Sequence, residues 1–252
     1  MARVVNVKLP PVAIVIAALN EEACLGDVIR EIPKTACGLQ TATIIIDDGS
    51  TDRTTAVANE AGADHVITLA TNEGHGCALR HGYRFAREGG AAFIVTLDAD
   101  GQWNPAETDG VLQPVVDGEA DFVIGSRVLG ATETDDSFRQ AGVHVYSRLV
   151  QVLTGVRVTD TSSGFRALRA EITGAVTQTQ VQYQTSELLI GAIFAGYRIA
   201  ERPIVMRKRA AGESKKGHNL IYGARYARVI LRTWWRERRR GRPVSPAEAP
   251  VG

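Results

Sequence analysis

Two aspartates end an apolar run in the segment VTLDADGQWNP, residues 95–105, with a single residue between them. Asp98 and Asp100 carry like charges, which repel each other unless a cation lies between them. Alternate side chains of an extended chain point to the same side, so both carboxylates can reach one ion, and Gln102 has the same parity. Oxygen ligands suit Mg²⁺ or Mn²⁺, which commonly bridge to substrate phosphates. The alternative interpretation is a solvated turn.

A second acidic pair, Asp47 and Asp48, lies in the run IIIDDGSTD. An acid that follows a buried strand of an α/β sheet can accept hydrogen bonds from a ribose or a base. The alternative is capping of the next helix, for which Ser50, Thr51 and Asp52 are also suitable types. For Asp48 the residues alone favour ligand contact and capping equally.

The glycine-rich segment NEGHGCALRHG, residues 72–82, opens a predicted helix. It does not fit the dinucleotide pattern GxGxxG, because Leu79 stands at the last glycine position, and it lacks the G-K-[ST] of a P-loop. A dinucleotide oxidoreductase and a P-loop NTPase therefore both lose support. His75 and His81 have no paired-histidine spacing, so we interpret them as surface or packing residues.

These segments belong to short strands that alternate with helices along the first half of the chain. Strands are predicted at 12–17, 43–46, 66–69, 92–97 and 122–124, and helices at 21–31, after Asp52, at 76–88 and after Asn104. The alternation predicts an α/β fold with a mostly parallel central sheet and helices on both faces. Ligands of such sheets bind beyond the carboxyl ends of the strands. Both acidic pairs fall at strand ends, which favours function over solvated turns.

The second half of the chain has a looser pattern. It predicts a mobile polar loop at 129–138, helices at 140–153 and 185–194, and a strand at 197–205. We predict one domain over residues 1–217, a basic amphipathic helix over 218–240 and a disordered tail over 241–252.

The bulk composition is that of a soluble globular protein. The 252 residues are 44% hydrophobic, the mean hydropathy is −0.06, and no run of about 18 apolar residues predicts a transmembrane helix. The apolar stretch near the N-terminus alternates like a strand and runs into charged residues, so no signal peptide is expected. The three cysteines form no C-x-x-C pair, which indicates reduced thiols in a cytosol.

The net charge of +1 conceals an uneven distribution. Residues 207–242 contain 13 Lys or Arg against 2 Asp or Glu, so the remainder of the chain is acidic. An acidic body with a basic end can hold metal cations in one place and bind anions in another. A nucleic-acid partner is not expected, because no recognition motif accompanies the basic run.

Seven short motifs follow one another along most of the chain. They are ALNEE, DDGSTD, NEGHGCALRHG, LDADGQWNP, GSR, DTSSGFR and RAAGESKKG, and they extend from about Pro11 to Gly217. Together they resemble the family 2 glycosyltransferases, and within these the polyprenol-phosphate (dolichol-phosphate) mannosyltransferases. The resemblance implies a GT-A (Rossmann-like) fold and metal-dependent, inverting transfer of a sugar to a polyprenyl phosphate. Mannose from GDP-mannose is the donor that it implies.

The resemblance also implies roles for individual residues. Donor contacts are implied for Ala17, Leu19, Asn20, Glu22, Asp47, Asp48, Asp98, Ala99, Asp100, Arg209 and Lys215. A Mg²⁺ or Mn²⁺ ion is implied at Asp98, Asp100 and Gln102. Acceptor contacts are implied for Arg127, Arg139, Ser163, Gly164, Arg166 and Glu187. The catalytic set is Asp98, Asp100 and Arg209, because a cation and an arginine can stabilise the charge of a departing diphosphate.

The class of acceptor depends on whether the reaction needs a general base. A hydroxyl needs one, whereas a lipid phosphate is already an anion and needs cations such as Arg127 and Arg139. Asp160 and Glu187 are the candidate bases if the acceptor is a hydroxyl. Two alternatives stay open, a glycosyltransferase of the same fold with a soluble acceptor such as a secondary metabolite, and a non-catalytic nucleotide-sugar-binding protein.

The C-terminal helix suggests a membrane surface as a partner. A helical wheel separates Leu220, Ala224, Ala227, Leu231 and Trp234 from Arg225, Arg228, Arg232, Arg236 and Arg239. The pattern fits equally an interfacial helix on the cytoplasmic face of a membrane and a helix packed on the body with a solvated basic face. A membrane-protein partner and a homo-oligomer are both left open.

Overall fold

Aliphatic and β-branched runs form one sheet in this computed structural model. The structure describes residues 7–133, 137–208 and 220–240, without the side chains of 137–139 and 220–222. The strands are β1 (Val12–Ala18), β2 (Thr35–Ala36), β3 (Leu39–Asp47), β4 (His65–Thr68), β5 (Phe93–Asp98), β6 (Phe122–Thr132), β7 (Arg166–Arg169) and β8 (Ile199–Met206). Their order is β2-β3-β1-β5-β7-β6-β8, and β4 also pairs with β3. The pairs β1–β3, β1–β5, β3–β4 and β6–β8 are parallel, whereas β7 is antiparallel to both neighbours. The predicted α/β class with a mostly parallel sheet is confirmed.

Helices connect these strands and cover the sheet. They are α1 (Leu25–Glu31), α2 (Thr54–Glu60), α3 (His75–Glu88), α4 (Thr108–Val116), α5 (Ser137–Thr154), α6 (Ile172–Ala175), α7 (Gln184–Phe194) and α8 (Leu220–Arg240). The predicted helix start at Asn104 is confirmed, because its side chain accepts the N–H of Ala106 at the 3₁₀ turn that leads into α4.

The central strands are apolar at consecutive positions because both faces of the sheet are buried. On one face, Ile14 of β1 belongs to a cluster with Leu25 and other residues of α1, α2 and α4. On the other face, Val15 belongs to a cluster with Leu79 of α3. Gly82 allows α3 to approach the sheet closely, since a Cβ at this position would lie 2.4 Å from Cγ1 of Val15. Helices are thus packed against both faces of the central strands.

The C-terminal helix α8 packs on α5 and α7. Tyr226 and Ile230 are buried in a small apolar cluster with residues of those helices. The buried side of α8 differs from the apolar side that the helical wheel predicted. Ala224 and Leu231, which belong to the predicted apolar side, are exposed. The described residues contain no helix that is long and apolar enough to cross a bilayer.

Two local predictions are corrected. Strand β6 continues to Thr132, so residues 129–132 are not part of a mobile loop. Gly130 makes this extension possible, because a Cβ there would lie 2.1 Å from the carbonyl oxygen of Ile204 in β8. Strand β7 was not predicted at all. The predicted tail, 241–252, lies outside the described residues, and the domain boundary at 217 stays a prediction.

Candidate active site

The carboxyl ends of three neighbouring strands bring the two acidic pairs to one edge of the sheet. In the parallel register, Asp98 at the end of β5 is level with Ala17 of β1. Asp47 at the end of β3 is level with Ala18 on the other side of β1. The prediction that both pairs lie at strand ends is confirmed, and this edge is where an α/β sheet binds its ligands.

The chain turns sharply after Asp98, which places its carboxylate in a defined position. Gly101 has a φ of +72°, a conformation that favours glycine, and the N–H of Gln102 is donated to Oδ1 of Asp100 at 3.2 Å. The indole N–H of Trp103 is donated to Oδ2 of Asp98 at 2.8 Å. Ala99 is buried between the two acids, and Gln102 is also buried, with its main-chain carbonyl accepting the N–H of Arg207.

The site fits a hard divalent cation. Asp98 and Asp100 are half-buried and offer carboxylate oxygens, the ligand type that Mg²⁺ and Mn²⁺ prefer. Gly164 faces Asp98 so closely that a Cβ there would lie 2.5 Å from each carboxylate oxygen. Because residue 164 is a glycine, no side chain fills the space beside the carboxylate of Asp98.

The first loop, after β1, is held to the loop after β3 by reciprocal hydrogen bonds. Asn20, with a φ of +51°, donates its N–H to Oγ of Ser50 and accepts the N–H of Thr51 on its side chain. Glu22 accepts the N–H of Arg53. Leu19 lies half-buried in the same loop. The predicted donor residues Leu19, Asn20 and Glu22 are thus brought to the edge at which β1 and β3 end.

Asp47 and Asp48 are both almost fully buried and accept hydrogen bonds from the loops around them. Asp47 accepts the N–H of Ser50 at 2.9 Å and the hydroxyl of Thr55. The two oxygens of Asp48 accept the N–H groups of Glu73 and Gly74 at 2.8 and 2.9 Å. Both carboxylates therefore hold the loops at the edge of the site in place. Their contact with a nucleoside stays a prediction.

Arg127 and Asp160 form a buried ion pair behind the edge. Nε and Nη2 of Arg127 are donated to the two carboxylate oxygens at 2.7 and 2.9 Å, and Nη2 also reaches Oγ of Ser162 at 2.7 Å. Burial disfavours the charged guanidinium, but the hydrogen bonds and charge of Asp160 outweigh it and raise the pKa of Arg127. The guanidinium lies 5.5 Å from the ring centre of Trp103. The pair therefore supports the indole that orients Asp98.

Arg166 ties the segment DTSSGFR, residues 160–166, to α7. Its guanidinium is buried and is donated to the carbonyls of Ser163, Thr161 and Thr185 at 2.8, 2.8 and 2.5 Å. Burial lowers the pKa of this arginine. The carbonyl of Gly164 accepts the hydroxyl of Thr96 at 2.7 Å. Arg166 and Ser163 are thus buried within this segment, and their contact with an acceptor stays a prediction.

Glu187 lies at the contact between α7 and α8. Its fully buried carboxylate accepts the N–H and hydroxyl of Thr179 at 2.8 and 2.9 Å and the N–H of Gln180 at 2.9 Å. It also accepts Nη1 of Arg236 at 2.7 Å. The structure brings Glu187 to the C-terminal part of α8, and its contact with an acceptor stays a prediction. Arg209, Lys215 and the side chain of Arg139 lie outside the described residues.

Comparison with known proteins decides the family. Residues 13–176 match the family described as Glycosyl transferase family 2. The chain belongs to this family. A dolichyl-phosphate hexose transferase of Haloferax volcanii is 33% identical over 203 residues, which cover 81% of this chain and 85% of that protein. A polyprenol monophosphomannose synthase of Mycolicibacterium smegmatis is 32% identical over 222 residues, which cover 82% of each.

Solved structures confirm the GT-A fold of this glycosyltransferase. Glucosyl-3-phosphoglycerate synthase from Mycobacterium tuberculosis, in complex with Mn²⁺, uridine diphosphate and glucosyl-3-phosphoglycerate, superposes with a TM-score of 0.68. The sequence identity is 23%, and the match covers 90% of this chain and 80% of that one. The predicted enzyme class, a glycosyltransferase, is confirmed.

Three features of the glycosyltransferase site were not predicted. They are the bond from Trp103 to Asp98, the pairing of Arg127 with Asp160, and the close approach of Gly164 to Asp98. Trp103 offered a signal, because it follows the DADGQ run directly and carries an N–H that needs a partner when buried. The other two features join residues more than thirty positions apart, and no local pattern marks them.

Proposed function

We propose that this glycosyltransferase moves a hexose from a nucleotide sugar onto a polyprenyl phosphate. The proposal rests on the burial and the hydrogen-bond partners of the two candidate bases. Asp160 is fully buried in its pair with Arg127, and Glu187 is fully buried with four hydrogen-bond donors. A hydroxyl acceptor would need a base, whereas a phosphate monoester is already an anion. The two relatives, named for dolichyl and polyprenol substrates, support this acceptor class.

The proposed reaction is one inverting displacement at the anomeric carbon. A phosphate oxygen of the lipid forms the new bond to this carbon as the bond to the donor diphosphate breaks, and the electron pair leaves with the diphosphate. No proton moves. A divalent cation held by Asp98, Asp100 and Gln102 would neutralise the charge that develops on the leaving group. Arg209 would bind the same diphosphate, for which a planar guanidinium is well suited.

This chain's described residues would fix the geometry of the reaction. Trp103 holds one oxygen of Asp98, which aims the remaining lone pairs of the carboxylate. Asp48 holds the loop at residues 73 and 74, and Asn20 holds the loop at residues 50 and 51. These bonds preorganise the walls of the proposed donor site before the nucleotide binds.

GDP-mannose is the donor we propose. The support is the motif resemblance and the relative named as a monophosphomannose synthase. The other relative is named for a hexose, so the donor is best identified by an assay of several nucleotide sugars.

The test measures release of nucleoside diphosphate from a panel of GDP- and UDP-sugars with Mg²⁺ or Mn²⁺. Each donor is assayed with a short polyprenyl phosphate, with the matching polyprenyl alcohol and without an acceptor. Release from one donor only in the presence of the phosphate is expected. Release with the alcohol, or with soluble alcohols, would replace the lipid phosphate by a hydroxyl acceptor. The variant Asp100→Ala should lose turnover, whereas a non-catalytic sugar-binding protein would show none in any form.

We propose that the enzyme acts at the cytoplasmic surface of a membrane and contacts it through α8. The outward face of this helix exposes Leu231 and Trp235 at 45% and 52%. Exposed arginines flank them, and Arg239 lies over the ring of Trp235 at 3.4 Å from its centre. Aromatic and apolar side chains among arginines suit the interface of an anionic bilayer. The free cysteines Cys24, Cys37 and Cys77 support a reducing compartment.

A further inference from the structure

Glu73, Cys77 and His81 form a cluster on one side of α3, away from the acidic pair at Asp98. Cys77 and His81 are four residues apart on α3, so their side chains lie above one another, and Glu73 lies in the loop just before this helix. The thiol of Cys77 is donated to Oε2 of Glu73 at 2.8 Å, and Nε2 of His81 lies 3.2 Å from the same oxygen. The sulfur, the carboxylate oxygen and the ring nitrogen all lie within 4.8 Å of one another.

The spacing of these atoms is close to that of a tetrahedral zinc site. Zinc binds sulfur at about 2.3 Å and nitrogen or oxygen at about 2.0–2.2 Å, so its ligand atoms stand roughly 3.3–3.6 Å apart. The Sγ–Oε2 and Nε2–Oε2 separations of 2.8 and 3.2 Å need only small side-chain movements to reach that range, and the sulfur and the ring nitrogen lie within 4.8 Å of each other. Thiolate and imidazole are ligands that select zinc-like metals over Mg²⁺.

We propose that Glu73, Cys77 and His81 bind a zinc-type cation, separately from the oxygen site at Asp98 and Asp100. Three protein ligands leave a fourth position for water or an external ligand. Binding releases the thiol proton of Cys77 to solvent and gives two anionic ligands, which balance the charge of a divalent ion. Glu73 is exposed and the other two are half-buried, so an ion can enter from solvent.

Two arginines lie beside the cluster. Arg80 donates Nη1 to the carbonyl of Gln180 at 2.8 Å, whereas Arg84 contacts a ring nitrogen of the cluster and must move. Nη2 of Arg84 lies 3.3 Å from Nδ1 of His81. A metal on Nε2 requires the proton on Nδ1, so this guanidinium must turn away from the ring. Arg84 is exposed, so its guanidinium can turn into solvent.

The cluster is also connected to the loop at the proposed donor site. The N–H of Glu73 is donated to Asp48, and so is the N–H of Gly74, the residue before α3. With a metal on its side chain, Glu73 would therefore be held both through its main-chain N–H and through its carboxylate. The proposal of the site itself does not depend on the proposed glycosyl transfer.

The test is a titration of the full chain with Co²⁺, followed by displacement with Zn²⁺, in buffer without thiols or chelators. Thiolate ligation gives Co²⁺ an intense near-ultraviolet band that oxygen ligands do not give. We expect the band in the wild type at one ion per chain, and its loss on addition of Zn²⁺. Cys77→Ser should abolish the band, and His81→Ala should weaken Co²⁺ binding by at least about tenfold.

Matched controls separate this site from other thiols and from the oxygen site. Cys37 is also half-buried, and its thiol is donated to the carbonyl of Asp109, so Cys37→Ser should leave the band unchanged. Asp100→Ala should also leave it unchanged, even if it abolishes glycosyl transfer. Metal-free melting curves verify that each variant is folded. A wild type without the band, or a band that survives in folded Cys77→Ser, would refute the proposal.

Discussion

Arg127 and Asp160 form a bidentate ion pair that is almost completely withdrawn from solvent, at 8% and 0% exposure. The resemblance assigned Arg127 to the acceptor phosphate, and Asp160 was a candidate base. Their pairing, together with the ring of Trp103 beside the guanidinium, indicates that they help to position Asp98, and contact of Arg127 with an acceptor stays a prediction. A buried pair of this kind is costly to break, because the remaining charge loses its partner in a poorly solvated place.

We therefore expect Asp160→Asn to lower the free energy of unfolding by about 3–5 kcal/mol, as measured by urea denaturation. Combining it with Arg127→Met should recover part of this loss, because the uncompensated charge is then also removed. The control is Glu60→Gln, which breaks the exposed pair with Arg53 and should change stability by less than about 1 kcal/mol. Equal effects of the Asp160 and Glu60 variants would show that the buried pair is not a structural support.

A second prediction concerns the space beside Asp98. In Gly164→Ala the new Cβ would lie 2.5 Å from both oxygens of that carboxylate, so Asp98 must move. A displacement of about 1 Å in a catalytic group can cost about 100-fold in rate. We expect such a loss in kcat and weaker binding of Mn²⁺, and a free energy of unfolding that is lower by about 1–3 kcal/mol because the added methyl group overpacks this place.

The matched control for this variant is Gly110→Ala in α4, where a Cβ meets nothing within 4 Å. Alanine is favoured over glycine within a helix, so this change should raise stability by about 0.5–1 kcal/mol and leave kcat unaltered. Normal Mn²⁺ binding and normal kcat in folded Gly164→Ala would exclude Asp98 from the metal site.

A third prediction follows from Asp121, which joins the starts of β6 and β8. Arg198 donates Nε and Nη2 to its carboxylate at 3.0 and 2.9 Å. These bonds lower the pKa of Asp121, and burial opposes them only in part. A lowered carboxyl pKa contributes stability above the ordinary value of about 3.9, and this stability is lost as the pH falls through the folded pKa.

Asp121→Asn should therefore have a lower urea midpoint than the wild type at pH 7, and the difference should shrink between pH 4 and pH 2.5. Asp27→Asn is the control, since its pair with Arg30 is exposed and its effect should be small at every pH. A difference that stays constant down to pH 2.5 would mean that the ionised form of Asp121 contributes nothing.

The central strands could be predicted from the sequence because consecutive β-branched residues indicate a strand that is buried on both faces. Strand β7 could not, because it has four residues with an arginine at each end. Arg166 is buried there only because three carbonyls from elsewhere in the chain accept its hydrogens. Such satisfaction of a buried cation depends on tertiary structure and leaves no mark in the local pattern.

In the candidate site, too, local features could be predicted from the sequence and features that depend on tertiary contacts could not. Asp98, Asp100 and Gln102 were predicted together because their spacing is local. The resemblance placed Glu187 among the acceptor contacts, yet its partner Arg236 lies in a helix 49 residues further along. A helix carboxylate can belong to a substrate site or to a contact between helices. Only the position of a cation that is distant in sequence, here Arg236, distinguishes the two.

The last prediction concerns the membrane contact of α8. Removal of the whole helix is a poor test, because its inward residues Tyr226 and Ile230 cover Val150 and Ile190 of the body. A double variant of the outward face, Leu231→Ser with Trp235→Ser, keeps that packing and removes the exposed apolar surface. We expect it to lose most flotation with vesicles that contain anionic lipid, while its melting temperature stays unchanged.

The charge contribution can be separated from the apolar one with Arg228→Ala and Arg232→Ala, both on exposed positions of α8. Each arginine near an anionic surface contributes about 1 kcal/mol, so each variant should bind these vesicles about fivefold more weakly. Binding to neutral vesicles should change little. If the outward double variant floats as well as the wild type, α8 is a packing helix with a solvated basic face, and the lipid acceptor must be reached by another surface.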